Sequence, residues 1–397
     1  MRLPRLNAAL LLAIGACATI EHSAPEVPPP EPASFLMPRA NRGVEAYSTW
    51  FADTDGRVIY AGLSPFWKLW WERDGDSRAD LDAEGDLLIA RFHVAQERFL
   101  EPLRLPVASN PRVSVWDVLA HSSGVVCFTT YFDWMGCVDP ETGIARRFEA
   151  LGLGLNELFE GVDGRIYATR YSSDPLGEPA KSYGSVLVLT VEGTLLDEFR
   201  LENPKGGLTA AKSIAVDPAS GEIWLNTDTF GADGAIAHET IHLLASGRLV
   251  SRRARAAELH FVTFDSEGRG FFAEVIGGQL RVRVVRGGRE LASIALGPHA
   301  TLDFVQDIQP AAGGGAVLAL WSGRIFVIEA RGDSYRAREL APERPAECEP
   351  AVRKSLLYSA FRFGDRVYAS LYCDARILRV PALDEKHDHR SGDDHAQ

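Results

Sequence analysis

LFEGVDGRIYATR (158–170) sets an apolar stretch, an acidic turn closed by Gly164 and an alternating apolar stretch in one short phrase. Period-two alternation on both sides of a glycine-closed turn reads as two antiparallel strands joined by a tight hairpin. The phrase recurs in WFADTDGRVIYAG (50–62), VLAHSSGVVCFTT (118–130), IAVDPASGEIWLNT (214–227), VTFDSEGRGFFAE (262–274), IQPAAGGGAVLAL (308–320) and FRFGDRVYASL (361–371). A strand, turn, strand unit repeated along one chain predicts small sheets arrayed around an axis, an all-β propeller.

The turn glycines Gly56, Gly124, Gly164, Gly221, Gly268, Gly314 and Gly364 serve as markers, and their successive intervals are 68, 40, 57, 47, 46 and 50 residues. Such spacing suits four short antiparallel strands per blade with loops of varying length, giving seven blades, with six as the alternative. After the last phrase only ARILRV (375–380) reads as a strand, so the missing strand is expected from Phe35 to Val44, closing the ring from the N-terminal side.

Residues 1–17 read as an export signal: Arg2 and Arg5, an apolar run from Ala8 to Ile14, then Gly15-Ala16-Cys17. The run is too short for a permanent membrane span. Ile14-Gly15-Ala16-Cys17 resembles the bacterial lipobox, which implies cleavage before Cys17 and lipidation of its thiol, while Gly15 leaves a plain signal peptide as the alternative. Ala18 stands where an aspartate would resemble an inner-membrane retention signal, so an outer-membrane lipoprotein facing the periplasm or the cell surface is expected. Residues 18–34 are a proline-rich tether, 35–383 the propeller, and 384–397 an acidic, histidine-bearing tail expected to be disordered.

The formal charge of −12 argues against nucleic acid and against anionic lipid surfaces, leaving the lipid on Cys17 as the membrane contact. A monomer is expected. Cys127, Cys137, Cys348 and Cys373 are an even set in an exported chain. A hairpin centred near residue 132 places Cys127 opposite Cys137, and Cys348–Cys373 follows by elimination; a four-cysteine zinc site lacks paired short spacings.

In a propeller blade the innermost strand starts at the channel mouth, so polar residues five to nine positions before each glycine are candidates for that mouth. They are Ser48, Asp117, Asn156, Lys212, His260, Asp307 and Ser359. Asp117, Asn156, Glu157, Lys212, His260 and Asp307 form the candidate ligand-binding set, against the alternative of a water-filled channel. The longest loops, 64–85, 171–183 and 228–236, leave on the same face. The first carries Phe66, Trp67, Trp70 and Trp71, which suit either a short helix packed on the propeller or a platform for a flat ligand, and Tyr131, Phe132 and Trp134 lie on another loop of that face.

LNELFEGVDGRIYAT (155–169), and next AKSIAVDPASGEIWLNT (211–227), resemble the repeat phrase of NHL and SMP-30/gluconolactonase-like propellers. The latter resemblance implies one divalent cation, calcium or similar, at the channel mouth, held by carboxylates and amides and polarising a lactone for attack by water. Asp117, Asn156 and Asp307 are the matching ligand types, and His260 reads either as a general base or as a hydrogen-bonding residue across the channel. Lys212 departs from the pattern, since an aspartate is expected at its place. Lyase-like propellers of the virginiamycin type are matched loosely, at FFAE (271–274).

Two metal motifs remain. His238-Glu239-Thr240-Ile241-His242 matches HExxH, but the marker spacing leaves no room for a peptidase domain, and on a strand the two histidines stand about 13 Å apart at roughly 3.3 Å per residue. Asp80 to Asp86 resembles half of a calcium loop, with Arg91 where the closing acid belongs. The expected function is binding of a small molecule, glycan or protein at the channel-mouth face, with a lactonase-type hydrolase and a structural envelope module as alternatives.

Overall fold

All seven marker glycines adopt positive φ, from 64° at Gly364 to 93° at Gly124, in the region that a Cβ disfavours. Each closes the hairpin between the first and second strands of a four-stranded antiparallel sheet. The computed structural model describes residues 33–37, 48–64, 87–105, 115–131, 133–148, 151–175, 181–204, 206–231, 235–255, 262–299, 305–332, 334–340, 357–371 and 376–380.

In chain order, β1 (Ala33–Leu36) precedes blade 1, made of β2 (Ser48–Thr54), β3 (Val58–Ser64), β4 (Leu87–His93) and β5 (Arg98–Leu105). Blade 2 is β6 (Asp117–Ala120), β7 (Val126–Thr129), β8 (Met135–Val138) and β9 (Ala145–Arg147). Blade 3 is β10 (Leu155–Glu160), β11 (Ile166–Arg170), β12 (Ser185–Leu189) and β13 (Leu195–Arg200). Blade 4 is β14 (Thr209–Val216), β15 (Ile223–Phe230), β16 (Ile236–Leu243) and β17 (Leu249–Ala254). Blade 5 is β18 (Val262–Phe264), β19 (Arg269–Ile276), β20 (Gln279–Arg286) and β21 (Arg289–Pro298). Blade 6 is β22 (Val305–Ala311), β23 (Gly315–Leu320), β24 (Ile325–Arg331) and β25 (Ser334–Leu340). Blade 7 is β26 (Leu357–Phe363), β27 (Arg366–Leu371), β28 (Arg376–Val380) and β1.

The first strands touch in sequence, β2, β6, β10, β14, β18, β22 and β26, and β26 touches β2 to close the ring. Middle strands β11, β12 and β23 are buried along their whole length, because each blade is covered on both faces by its neighbours. Hence their continuous apolar runs. Val58 and Tyr60 of blade 1, for example, share a core with Val118, Phe128 and Trp134 of blade 2.

Closure is non-covalent. β1 pairs antiparallel with β28, from Ala33 opposite Arg379 to Leu36 opposite Arg376, so the closing strand starts two residues before the expected Phe35. Met37 is buried with Phe92, Tyr368 and Ile377, and the Phe35 ring lies 5.1 Å from that of Phe92. Glu97, in a left-handed conformation at φ 48°, reaches from blade 1 to Tyr368 and Arg379 of blade 7 at 2.8 and 2.6 Å, with Arg366 at 3.2 Å.

Cys127 and Cys137 face each other across β7 and β8 and form a disulfide. Trp134 is buried with its ring 4.8 Å from Phe128, so it is core rather than platform. HETIH lies on strand β16. The Cys17 lipobox, the tether up to residue 32, the aromatic loop with Asp80 to Asp86, Phe132, His260, Cys348, Cys373 and the C-terminal tail lie outside the described residues.

Candidate functional site

Every first strand is hydrogen-bonded on one side only, so its outer amides face the axis or the next blade and need acceptors. Side chains from the preceding blade supply them. The Ser359 hydroxyl accepts the Ala52 amide at 3.1 Å, linking blade 7 to blade 1. Asp53 accepts Ala120 N–H at 2.9 Å, Asp117 accepts Leu158 N–H at 2.7 Å, and Glu157 accepts Ile214 N–H at 3.3 Å. Four successive blade junctions are stapled in this way.

β-Bulges help to aim these groups. Register shifts interrupt the β2–β3, β10–β11, β14–β15, β22–β23 and β26–β27 pairings, at 49/52, 155/158, 211/213, 305/307 and 357/360. An extra residue at a bulge turns side chains that strict alternation would send elsewhere. Asn156 and Glu157 occupy the blade 3 bulge, and Glu157 thereby joins the axial wall.

The stapling carboxylates bound an axial cavity of ≈ 260 Å³. Its wall carries Asp53, Asp117, Glu157, Glu160 and Asp307, with Gln309 and a remainder that is mostly apolar, including Phe51, Phe159, Ile214, Val262 and Phe264. No lysine, arginine or histidine is among the described wall residues. The wall runs from the middle of the first strands to their glycine turns, whereas the long loops follow the second strands at the opposite end. The cavity therefore lies on the turn side of the acids, at the other end of the first strands from the long loops.

Burial dominates the electrostatics. It pushes Asp53 up from 3.8 to about 6, opposed by the Ala120 and Thr54 amides and reinforced by Glu160 and Asp55. It pushes Asp307 up from 3.8 to about 7 against the hydrogen bonds from Gln309, Ser359 and the Ile308 amide, with Asp53 adding repulsion. Asp117 lies well above its ordinary value through burial, despite its bonds to the Leu158 and Val118 amides, with Asp53 and Asp307 adding. Glu157 is raised well above its own by burial and then by Asp117 and Asp307; the Ile214 amide and Lys212 oppose this. Carboxyls crowded in a poorly solvated space hold protons that they would lose in water.

Of the sequence candidates, the structure brings Asp117, Glu157 and Asp307 to the cavity wall, each seven residues before its turn glycine. Asn156, Lys212 and Ser359 are not in that wall. Asn156 Nδ2 donates to the Lys212 carbonyl at 2.6 Å, and Lys212 Nζ lies 2.7 Å from Asp228 Oδ2. Only the backbone of Ser48 is described.

Asp53 and Glu160 escape the sequence reading because they stand three and four residues before their glycines and read as turn acids. The divalent cation implied by the gluconolactonase resemblance does not fit the described residues: no three His, Cys, Asp or Glu side chains converge on one ion, and Asn156 lies outside the wall that carries Asp117 and Asp307.

Two other clusters have structural roles. On β16, His238 Nδ1 lies 2.8 Å from Asp228, while His242 Nε2 lies 2.9 Å from Glu222 and its ring stacks on Trp224 at 3.8 Å. Ser123, His121 and Glu160 lie in series, with His121 Nδ1 2.8 Å from Ser123 Oγ and Nε2 3.5 Å from Glu160. Yet Nδ1 also accepts the Ser123 amide at 3.1 Å, as Asp265 accepts the Glu267 amide at 3.0 Å in blade 5. His121 is the turn acceptor of its blade.

Near the long-loop end, the rings of Trp116, Tyr131, Tyr171 and Phe230 follow one another at 5.4, 6.2 and 6.4 Å, an arc across blades 2 to 4.

No protein-family model and no curated protein matches the chain. A solved structure titled "YCF48 bound to D1 peptide" is similar, with a TM-score of 0.52 at 12% identity, over 89% of this chain and 95% of that one. What is shared is the fold, a seven-bladed propeller.

Proposed function

We propose that this chain is an exported, lipid-anchored propeller that binds a ligand in its axial cavity. The observation that carries the reading is the cavity wall: four carboxyls with raised pKa values around a space of ≈ 260 Å³ backed by aromatic and aliphatic side chains. A concave apolar site with a few convergent polar groups and perturbed titrations is the usual form of a binding site. A lactonase would need a cation on Asp117, Asn156 and Asp307, and Asn156 lies outside the wall that holds the two aspartates, which favours binding over hydrolysis.

A thermal-shift screen of small molecules on the mature chain tests this reading, alongside Thr263→Trp, which fills the wall. Hits that raise the melting temperature of the parent and not of the variant support it; hits indifferent to Thr263→Trp place the site elsewhere. Cys17→Ser tests the anchor, and the variant should leave the membrane fraction.

A second reading has a peptide lying across the aromatic arc of Trp116, Tyr131, Tyr171 and Phe230. The similar propeller is bound to a peptide, and partly exposed rings offer amphipathic contact area. Tyr171→Ala would weaken such binding without touching the axial cavity.

A further inference from the structure

Glu157 is 8% exposed and lines the axial cavity. Its Oε2 accepts the Ile214 amide, but its Oε1 is buried and has no hydrogen-bond partner among the described residues. A buried carboxyl oxygen without a partner costs free energy, which a small turn of the Glu157 side chain toward a donor in the cavity would recover.

The groups facing Glu157 define that donor. Asp117 comes from β6, Asp307 from β22 and Asp53 from β2, with Glu160 on Glu157's own strand. Lys212 on β14 is a cation that acts on Glu157; it is not among the wall residues, and its Nζ is 2.7 Å from Asp228 on β15. Every charged side chain in the described wall is thus an acid. The rest of the described wall is largely apolar, with Phe159, Ile214 and Phe264 positioned to cover a hydrocarbon stem.

Metal ions match this arrangement poorly. Calcium needs six to eight oxygens at about 2.3–2.6 Å, and no three acidic or imidazole side chains among the described residues converge so closely. An ammonium group instead donates three separate hydrogen bonds and tolerates carboxyls spread around it. The volume of ≈ 260 Å³ is that of about eight or nine waters at roughly 30 Å³ each, enough to take a short amine.

We propose that the cavity binds the ammonium group of a small alkylamine, with Glu157 as its principal carboxylate and one proton released to solvent on binding. This rests on the axial cavity being a ligand site. One proton transfer is the only bond change: the alkylammonium enters with its charge, the O–H bond of a neutral carboxyl breaks and its proton passes to a buffer base, and the resulting carboxylate pairs with the cation. Burial and the neighbouring acids hold Glu157 well above its ordinary pKa in the absence of ligand, which supplies that proton at neutral pH.

The test is calorimetric titration of the mature chain at pH 7 with 1-aminopentane and with its neutral isostere 1-pentanol, each in two buffers of different protonation enthalpy. The amine should bind at least about tenfold tighter than the alcohol and release about one proton. Glu157→Gln should remove most of that preference and leave alcohol binding intact, and Asp307→Asn serves as the second variant should Glu157→Gln not fold. Equal binding of amine and alcohol, or amine binding without proton release, overturns the proposal. If neutral molecules bind in the cavity and the amine does not, the ligand class is wrong while the site stands; if nothing competes at the cavity, the site itself fails.

Discussion

The carboxylate of Asp117 accepts the Leu158 amide hydrogen at 2.7 Å, carrying a hydrogen bond from the first strand of blade 2 to that of blade 3. The same carboxyl lines the axial cavity. One side chain thus satisfies an edge amide and charges the site, so structural and binding roles separate only by substitution. Asp117→Ala leaves a buried donor without its acceptor and should cost about 1–3 kcal/mol of stability. Asp117→Asn keeps an acceptor oxygen and removes the ionisable group, so its urea midpoint should lie much closer to the parent's.

Stability should fall as pH rises. Asp307 moves from an ordinary 3.8 to about 7 in the folded chain, so between those values the folded state keeps a proton that the unfolded state has lost. Its contribution is complete below about 4 and is lost as pH rises through about 7. Asp53 adds the same trend between 3.8 and about 6. Urea denaturation from pH 4 to pH 8 should show the decline, and Asp307→Asn should flatten its upper half.

The ring closure has the opposite pH sign. Burial pushes Glu97 up, yet Arg379, Tyr368 and Arg366 outweigh it and hold the carboxyl below its ordinary 4.5. Its stabilisation is present above 4.5 and is lost as pH falls through its lower folded value. Glu97→Ala should cost about 2 kcal/mol, the usual scale for hydrogen bonds to a charged group. Hydrogen exchange should accelerate first in β1 and β28, the strands that close the ring.

HETIH should prove indifferent to metal. With both histidines on β16 and paired to Asp228 and Glu222, a chelator should leave the melting temperature unchanged. His242→Ala should cost about 1 kcal/mol, chiefly the stack on Trp224. A chelator-dependent melting temperature would restore the metal reading.

The repeat was legible because turn glycines and alternating strands are local signals, and they located blade number, the inner hairpins and the Cys127–Cys137 pairing. Asp117, Glu157 and Asp307 all stand seven residues before their glycines, but the window of five to nine residues points to Asn156 in blade 3, and the shared register shows only once the cavity wall is known. Asp53 and Glu160 were hidden because turn acids and axial acids look alike in sequence, and only the closed ring brings them against the others. Lys212 misled for the same reason: its partner Asp228 lies across a hairpin bulge, and no local pattern predicts which way an ammonium turns there. Nor does spacing reveal that the cavity lies on the turn side of the acids.

The central claim is that the axial carboxyls hold protons near neutral pH and yield them to a bound cation. A carbon-13 NMR titration of labelled aspartate and glutamate carboxyls measures this directly. The account predicts midpoints near 6 for Asp53 and near 7 for Asp307 without ligand, with Glu157 well above 4.5, and a fall in the Glu157 midpoint when 1-aminopentane is added. Midpoints at the ordinary 3.8 and 4.5, unmoved by the amine, would contradict it.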